Sequence, residues 1–245
     1  MSEASLTPSR PYPLGAYVRA WAVHALTLSG LLWVLLAARS LHAGDYKLMW
    51  LWLGVALITD ALDGPLARKA QVTKVVPWFS GVMMDNVVDY MTWTFVPSIF
   101  MAQALELGPQ PLPIVAAVCA MVSSMFCYAN TNMKSSDWYF VGFPAAWNII
   151  AIILWFLGLP GLLNWAVIVA FSILAVVPWK WVHPFRVKHL RRANAAAAIV
   201  WVVTTAAWIV TYPSAPFLIW MPWLVSGLWI LGVSAARTIK GPARR

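Results

Sequence analysis

Long apolar runs separated by short polar breaks dominate this chain, and their length matches membrane-crossing helices better than buried strands. A helix needs roughly 20 apolar residues to cross the hydrocarbon core of a bilayer. Eight stretches approach that length, at 16–38, 47–66, 77–104, 112–132, 140–157, 160–178, 194–212 and 215–236. The breaks carry turn-forming residues: His42-Ala-Gly-Asp45, Gly108-Pro-Gln-Pro-Leu-Pro113, Ser135-Ser-Asp137, Leu157-Gly-Leu-Pro160, the basic run Lys180 to Arg192, and Tyr212-Pro-Ser-Ala-Pro216. The pattern predicts an all-α, polytopic integral membrane bundle of about eight transmembrane helices.

Composition agrees. The 245 residues are 62% hydrophobic and 10% charged, with a mean hydropathy of +0.74, outside the range of soluble domains. No hydrophilic stretch is long enough for a second, soluble domain. Met1–Leu14 lacks the apolar core and small-residue cleavage site of a signal peptide and reads as a short cytosolic arm. Cys119 and Cys127 are eight apart in one span, so about 12 Å on a helix, too far for a disulfide.

The net charge of +9 would suit a nucleic-acid partner, but its distribution points elsewhere. With the N-terminus cytosolic, inside segments collect Arg10, Arg19, Arg68, Lys69, Lys74, Lys134, Lys180, Arg186, Lys188, Arg191, Arg192, Arg237, Lys240, Arg244 and Arg245. Outside segments keep only Arg39 and Lys47. This obeys the positive-inside rule and predicts both termini in the cytoplasm. No nucleic-acid partner is expected, and most of the 17 tryptophans read as interfacial belts.

Acidic residues are scarce and clustered. Of eight in the chain, four lie between Asp60 and Asp89: Asp60-Ala-Leu-Asp63-Gly64-Pro-Leu-Ala67-Arg68, twelve residues, then Gly81-Val-Met-Met-Asp85-Asn-Val-Val-Asp89. Spacings of three and four put each pair on one helix face. Four unpaired carboxylates in a membrane would cost about 2.5–3.5 kcal/mol each, which divalent cations would offset. Oxygen ligands suit hard ions such as Mg²⁺ or Mn²⁺, and two such ions near a bilayer suggest chemistry on phosphates. Gly64, Ala67 and Gly81 leave room for a ligand or, equally, for tight helix packing. Arg68 can present a planar fork to phosphate oxygens. Pro65 either ends the second span or kinks it.

The pattern Asp60-x-x-Asp63-Gly64-x-x-Ala67-Arg68 … Gly81-x-x-x-Asp85-x-x-x-Asp89 resembles the signature of the CDP-alcohol phosphotransferase family, membrane enzymes that move a substituted phosphate from a CDP-linked donor to an alcohol. The twelve-residue spacer Lys69 to Ser80, the flanking Asp63-Gly-Pro-Leu-Ala-Arg68 and Asp89-Tyr90, and the segment Asp137 to Asn148 look like the bacterial phosphatidylcholine synthase branch. The resemblance implies two divalent cations, Mn²⁺ or Mg²⁺, on Asp60, Asp63, Asp85 and Asp89, with Asp89 also the general base and Asp85 beside it in catalysis. It implies CDP-diacylglycerol against Asp60, Asp63, Gly64, Ala67, Arg68 and Gly81. The basic run Lys180 to Arg192 reads either as a topological anchor that attracts anionic headgroups or as bringing Arg186 or His183 to the donor's phosphates at the cytosolic mouth. Choline would be the acceptor, phosphatidylcholine and CMP the products. The location would be the bacterial inner membrane, with the active site facing the cytoplasm, and the enzyme a homodimer among membrane lipids.

Choline is a cation usually caged by aromatic faces. Tyr90, Trp93, Tyr128, Tyr139 and Trp147 are the candidate faces, with Trp138 beside them, against the alternative that each simply packs helices. Serine, glycerol phosphate and inositol phosphate are the competing acceptors. The anionic ones would call for cations beside Asp89, and the sequence offers none between Asp89 and Lys134. A cation transporter would instead favour paired broken helices or repeated halves, neither of which is clear. The organisation expected is a cytosolic arm at 1–15, a catalytic membrane domain at 16–192 with a six-helix core, an added transmembrane hairpin at 193–236 and a basic tail at 237–245.

Overall fold

The structure, a computed structural model, describes residues 11–241; most of the expected N-terminal arm, with Arg10, and the end of the tail, with Arg244 and Arg245, lie outside the described residues. It begins with a hairpin of two long helices, α1 (Leu14–His42) and α2 (Tyr46–Lys69). Gly44 turns the chain at φ +75°, a conformation glycine adopts without steric cost. Asp45 then caps α2 by accepting the Leu48 N–H at 3.0 Å. Pro65 does not end α2, which continues to Lys69, although the ring removes one donor from the helix ladder.

A single turn, α3 (Val72–Val75), leads to a helical stretch over 81–104 made of α4 (Gly81–Asp89), a π-helical turn (Tyr90–Phe95) and α5 (Val96–Ala104). Ser80 caps α4 through the Met83 N–H at 3.2 Å. The π turn is pinned by Thr94, fully buried, which hydrogen-bonds Ser124 of α6 (Leu112–Tyr128) at 3.0 Å and donates to the Ala145 carbonyl at 3.3 Å.

Each of the eight apolar spans contains a helix, but two are shorter than the hydropathy pattern suggests. α7 (Trp147–Leu157) has 11 residues and α8 (Gly161–Leu174) has 14; at 1.5 Å per residue α7 reaches only about 17 Å. The cause lies in 140–146, apolar but not helical. Phe140–Val141 (β1) pairs antiparallel with Lys180–Trp181 (β2), Phe140 opposite Trp181 and Val141 opposite Lys180. Gly142 follows at φ +85°, and a side chain there would meet the Ala175 carbonyl oxygen. The chain closes with α9 (Arg191–Thr211) and α10 (Phe217–Lys240). α1, α9 and α10 are long and apolar enough to cross a bilayer, which marks an all-helical membrane protein with one small ribbon.

The main core is built on fully buried Trp147, Phe100, Met49, Met101 and Leu154. Leu162 of α8 and Leu218 of α10, by contrast, are more than four-fifths exposed, as lipid-facing residues are. α10 also fastens the ribbon. The Ser234 and Thr238 hydroxyls accept the N–H groups of Val182 and Lys180 at 3.0 and 2.9 Å, and Arg237 pairs with Asp137 at 2.7 Å while lying over the Tyr139 ring.

Burial pushes the Asp137 carboxyl up, but hydrogen bonds from Arg237 and Ser135 and the Arg237 charge outweigh it and hold it below the usual carboxylate value. A depressed folded pKa means the stabilisation is present above about pH 4, the unfolded value, and is lost as pH falls through the folded one. Arg237→Gln should therefore lower stability at pH 7 by about 1 kcal/mol or less, read from thermal unfolding in detergent. The gap from wild type should shrink below about pH 4; an equal gap at both pH values would count against the pair.

Candidate active site

Three helices converge on one small cavity, and the residue spacing on each explains why. Thr27 and Gly30 come from α1; Ala56, Thr59, Asp60 and Asp63 from α2; Asp85, Val88 and Asp89 from α4, with Thr92 from the π turn. Positions 56, 59, 60, 63 and 85, 88, 89, 92 repeat the three-and-four rhythm of one helix face. The cavity is about 10 Å³, room for one water-sized particle.

Carboxylate oxygens of Asp60, Asp85 and Asp89 lie within 4.8 Å of one another, and all three side chains are half-buried. Among the described residues none of the three has a basic group within ion-pair distance. Like charges this close repel by on the order of 3 kcal/mol per pair at an effective dielectric near 20. A divalent cation between them would reverse the sign of that energy, and an all-oxygen donor set fits a hard ion. Asp63 faces the same cavity but stands outside the three-way approach. It is buried and accepts the Thr27 hydroxyl at 2.6 Å.

The small residues of the motif have specific neighbours. A Cβ at Gly64 would lie 3.5 Å from Arg68 Nη1, so the exposed Arg68 folds back over Gly64. Ala67 packs against the buried cluster of Ala16, Ala20, Val23, Val72, Val75 and Val76. The space left by Gly81 is filled by the ring of His24, 3.1 Å from where a Cβ would sit.

The aromatic candidates separate into two sets. Tyr90 and Tyr128 meet edge to face, 5.7 Å between centroids, and Tyr128 lies within electrostatic reach of Asp89, Asp60 and Asp85. Trp93 is half-buried against the main core. Trp147 is fully buried and packs on Phe143, and Tyr139 is buried beneath Arg237. The structure thus buries the last two among packing partners.

Arg186 lies over the Trp138 ring, 5.5 Å from its centroid. Lys134, which the charge count ties only to topology, comes within electrostatic reach of Asp85, Asp89 and Arg186. Lys134 thus supplies, within electrostatic reach of that aspartate, a cation that 90–133 lacks. Thr27, Gly30 and Lys134 are absent from the sequence motif. For the first two a signal existed: Ala20, His24, Thr27, Gly30, Val34 and Ala37 form a buried stripe along α1 at helical spacing. Lys134 had none, because a loop sets its position.

A membrane-embedded helical bundle with a carboxylate cluster able to hold a metal is the class this fold and site define. No family model matches the chain. It is 39% identical over 223 residues to the phosphatidylcholine synthase of Pseudomonas aeruginosa, covering 91% of this chain and 93% of that one. To the phosphatidylcholine synthase of Rhizobium meliloti it is 35% identical over 218 residues, 89% and 88% of the two chains. To that of Borreliella burgdorferi it is 31% identical over 183 residues, 75% and 78%. The chain belongs to the phosphatidylcholine synthase family.

Gly30 brings α1 against α4, and a Cβ there would overlap Val88 Cγ1. Gly30→Ala should destabilise the protein by about 1–3 kcal/mol through overpacking. Val88→Ala added to it should restore much of that loss, as thermal unfolding of the single and double variants would report. Additive losses would place the close contact elsewhere.

Proposed function

We propose that this protein transfers the phosphatidyl group of CDP-diacylglycerol to choline, giving phosphatidylcholine and CMP. The observation that carries this reading is the approach of Asp60, Asp85 and Asp89 within 4.8 Å, in a chain related along most of its length to phosphatidylcholine synthases. Asp60, Asp85 and Asp89, with Asp63 beside them, would hold two divalent cations, Mn²⁺ or Mg²⁺. Such ions, when bound, supply positive charge to diphosphate oxygens and to the departing CMP.

The chain's own groups do the rest. Asp89 takes the proton of the choline hydroxyl as general base, while Asp85 and Asp60 fix the reacting region beside it. The choline oxygen forms a bond to the phosphorus that carries diacylglycerol, and the bond from that phosphorus to the CMP oxygen breaks. Arg68, exposed at the end of α2 and folded over Gly64, binds donor phosphate from the cytosolic mouth. Ala67 and Gly81 serve the site indirectly, by seating α2 and α4 against their neighbours. Tyr90 and Tyr128 offer ring faces to the quaternary ammonium, with Trp93 one turn beyond.

The topology proposed has eight crossings, both termini in the cytoplasm, and residence in the bacterial inner membrane. Two contacts support its two sides. Lys47 Nζ donates to the Val210 carbonyl at 3.4 Å, joining ends predicted outside. Asp137 pairs with Arg237, joining segments predicted inside.

Asp89→Asn should reduce turnover by at least 10²-fold, the range for loss of a general base, without lowering the unfolding temperature of the metal-free protein, since it removes a repelling carboxylate. Chelation of wild type should stop CMP release, and Mn²⁺ should restore it. Near-normal turnover by Asp89→Asn would overturn its role. Tyr90→Ala and Tyr128→Ala should each raise the choline KM by roughly tenfold, corresponding to a cation–π contact of about 1–2 kcal/mol; an unchanged KM in both would move choline recognition to another surface.

A further inference from the structure

Helix α1 lies outside the aspartate motif in sequence, yet three of its residues, spaced three apart, between them touch both helices that carry it. His24 fills the space beside Gly81 of α4, Thr27 donates to Asp63 of α2 at 2.6 Å, and Gly30 admits Val88 of α4. One face of α1 thus sets how α2 and α4 meet. Among the described residues, Thr27 is the one side chain that hydrogen-bonds any of the four aspartates.

A threonine inside a helix can return its hydroxyl to the carbonyl four residues back. The cavity's other two threonines do so: Thr59 donates to the Val55 carbonyl at 3.0 Å and Thr92 to the Val88 carbonyl at 3.1 Å. Thr27 departs from them. Its Val23 carbonyl is 3.4 Å away and Asp63 Oδ2 only 2.6 Å, and a single hydroxyl proton goes to the nearer, charged acceptor. Both side chains belong to buried residues, so water competes little for either. Asp63 has no basic group within ion-pair distance among the described residues, which leaves the Thr27 hydroxyl as its fixed partner.

A carboxylate held at one oxygen keeps one orientation. Asp63 stays on the cavity wall, apart from the approach of Asp60, Asp85 and Asp89, instead of turning in among them as a fourth negative charge. We infer that Thr27 is a positioning residue: acting through Asp63, it fixes the fourth carboxylate of the metal site and so raises the affinity for the divalent cations. This rests on the cation site proposed above. Hydrogen bonds to ligating carboxylates orient them, and losing one weakens metal binding by about 10–100-fold. Thr27 takes no part in bond making or breaking; it governs how readily the site is loaded.

The full chain in neutral detergent is titrated with Mn²⁺, the free ion being read by electron paramagnetic resonance, so the readout does not depend on turnover. Thr27→Val removes the donor while keeping nearly the same shape, and Thr27→Ser keeps the donor. Thr27→Ala removes it with less bulk, which covers a valine variant that does not fold. Thr27→Val and Thr27→Ala should weaken Mn²⁺ binding by about tenfold or more, and Thr27→Ser by less than about threefold. Turnover should fall at low Mn²⁺ and recover at saturating Mn²⁺, with the choline KM unchanged. In an Asp63→Asn background, Thr27→Val should cause no further loss of Mn²⁺ affinity, because its effect passes through that carboxylate. A lowered unfolding temperature with Mn²⁺ affinity intact would overturn the inference and make the contact a purely structural one. So would equal losses in Thr27→Ser and Thr27→Val, or losses that add to that of Asp63→Asn. Wild type that binds Mn²⁺ but makes no phosphatidylcholine would overturn the reaction alone; wild type that binds no Mn²⁺ would overturn the cation site and the role of Thr27 with it.

Discussion

Mutual repulsion among Asp60, Asp85 and Asp89 is the constraint on which the rest of the structure depends. Three carboxylates within 4.8 Å repel one another when ionised, so packing that holds their helices close must be matched by protons or a cation among them. Gly30 lets α4 approach α1 at Val88, Thr27 holds Asp63 on α2, and Thr94 anchors the π turn to α6. The π turn begins at Tyr90, immediately after Asp89, and such turns recur at functional sites. Packing thus brings the three acids together, and a divalent cation with its phosphate ligand would neutralise them.

A second group of charges stands apart from the first. The β ribbon gathers Lys134, His183 and Arg186 around Phe140 and Trp138, and α10 holds that ribbon through Ser234, Thr238 and Arg237. The last hairpin, which reads in the sequence as an addition to a six-helix core, therefore holds the ribbon and its loop in place.

The helix faces bearing the aspartates were legible in the sequence because their spacing is local: three and four residues place Asp60 with Asp63 and Asp85 with Asp89 whatever the rest of the chain does. The eight apolar spans were legible for the same reason, as lipid demands long uninterrupted runs. The short α7 was not, because 140–146 is apolar yet paired as a strand, and pairing with 180–181 is a long-range event. Lys134 was hidden likewise, its place set by a bridge to Phe140. The aromatic residues were legible as a group but not one by one. Burial alone separates Trp147 in the core from Tyr90 and Tyr128 beside the aspartates.

The most direct measurement is a parallel incubation of the purified protein with CDP-diacylglycerol, Mn²⁺ and one labelled acceptor each: choline, serine, glycerol phosphate or inositol phosphate. Label should enter lipid from choline alone, with one CMP released for each phosphatidylcholine formed. Label entering from another acceptor would contradict choline as the acceptor, and no lipid product from a folded, metal-loaded protein would contradict the reaction.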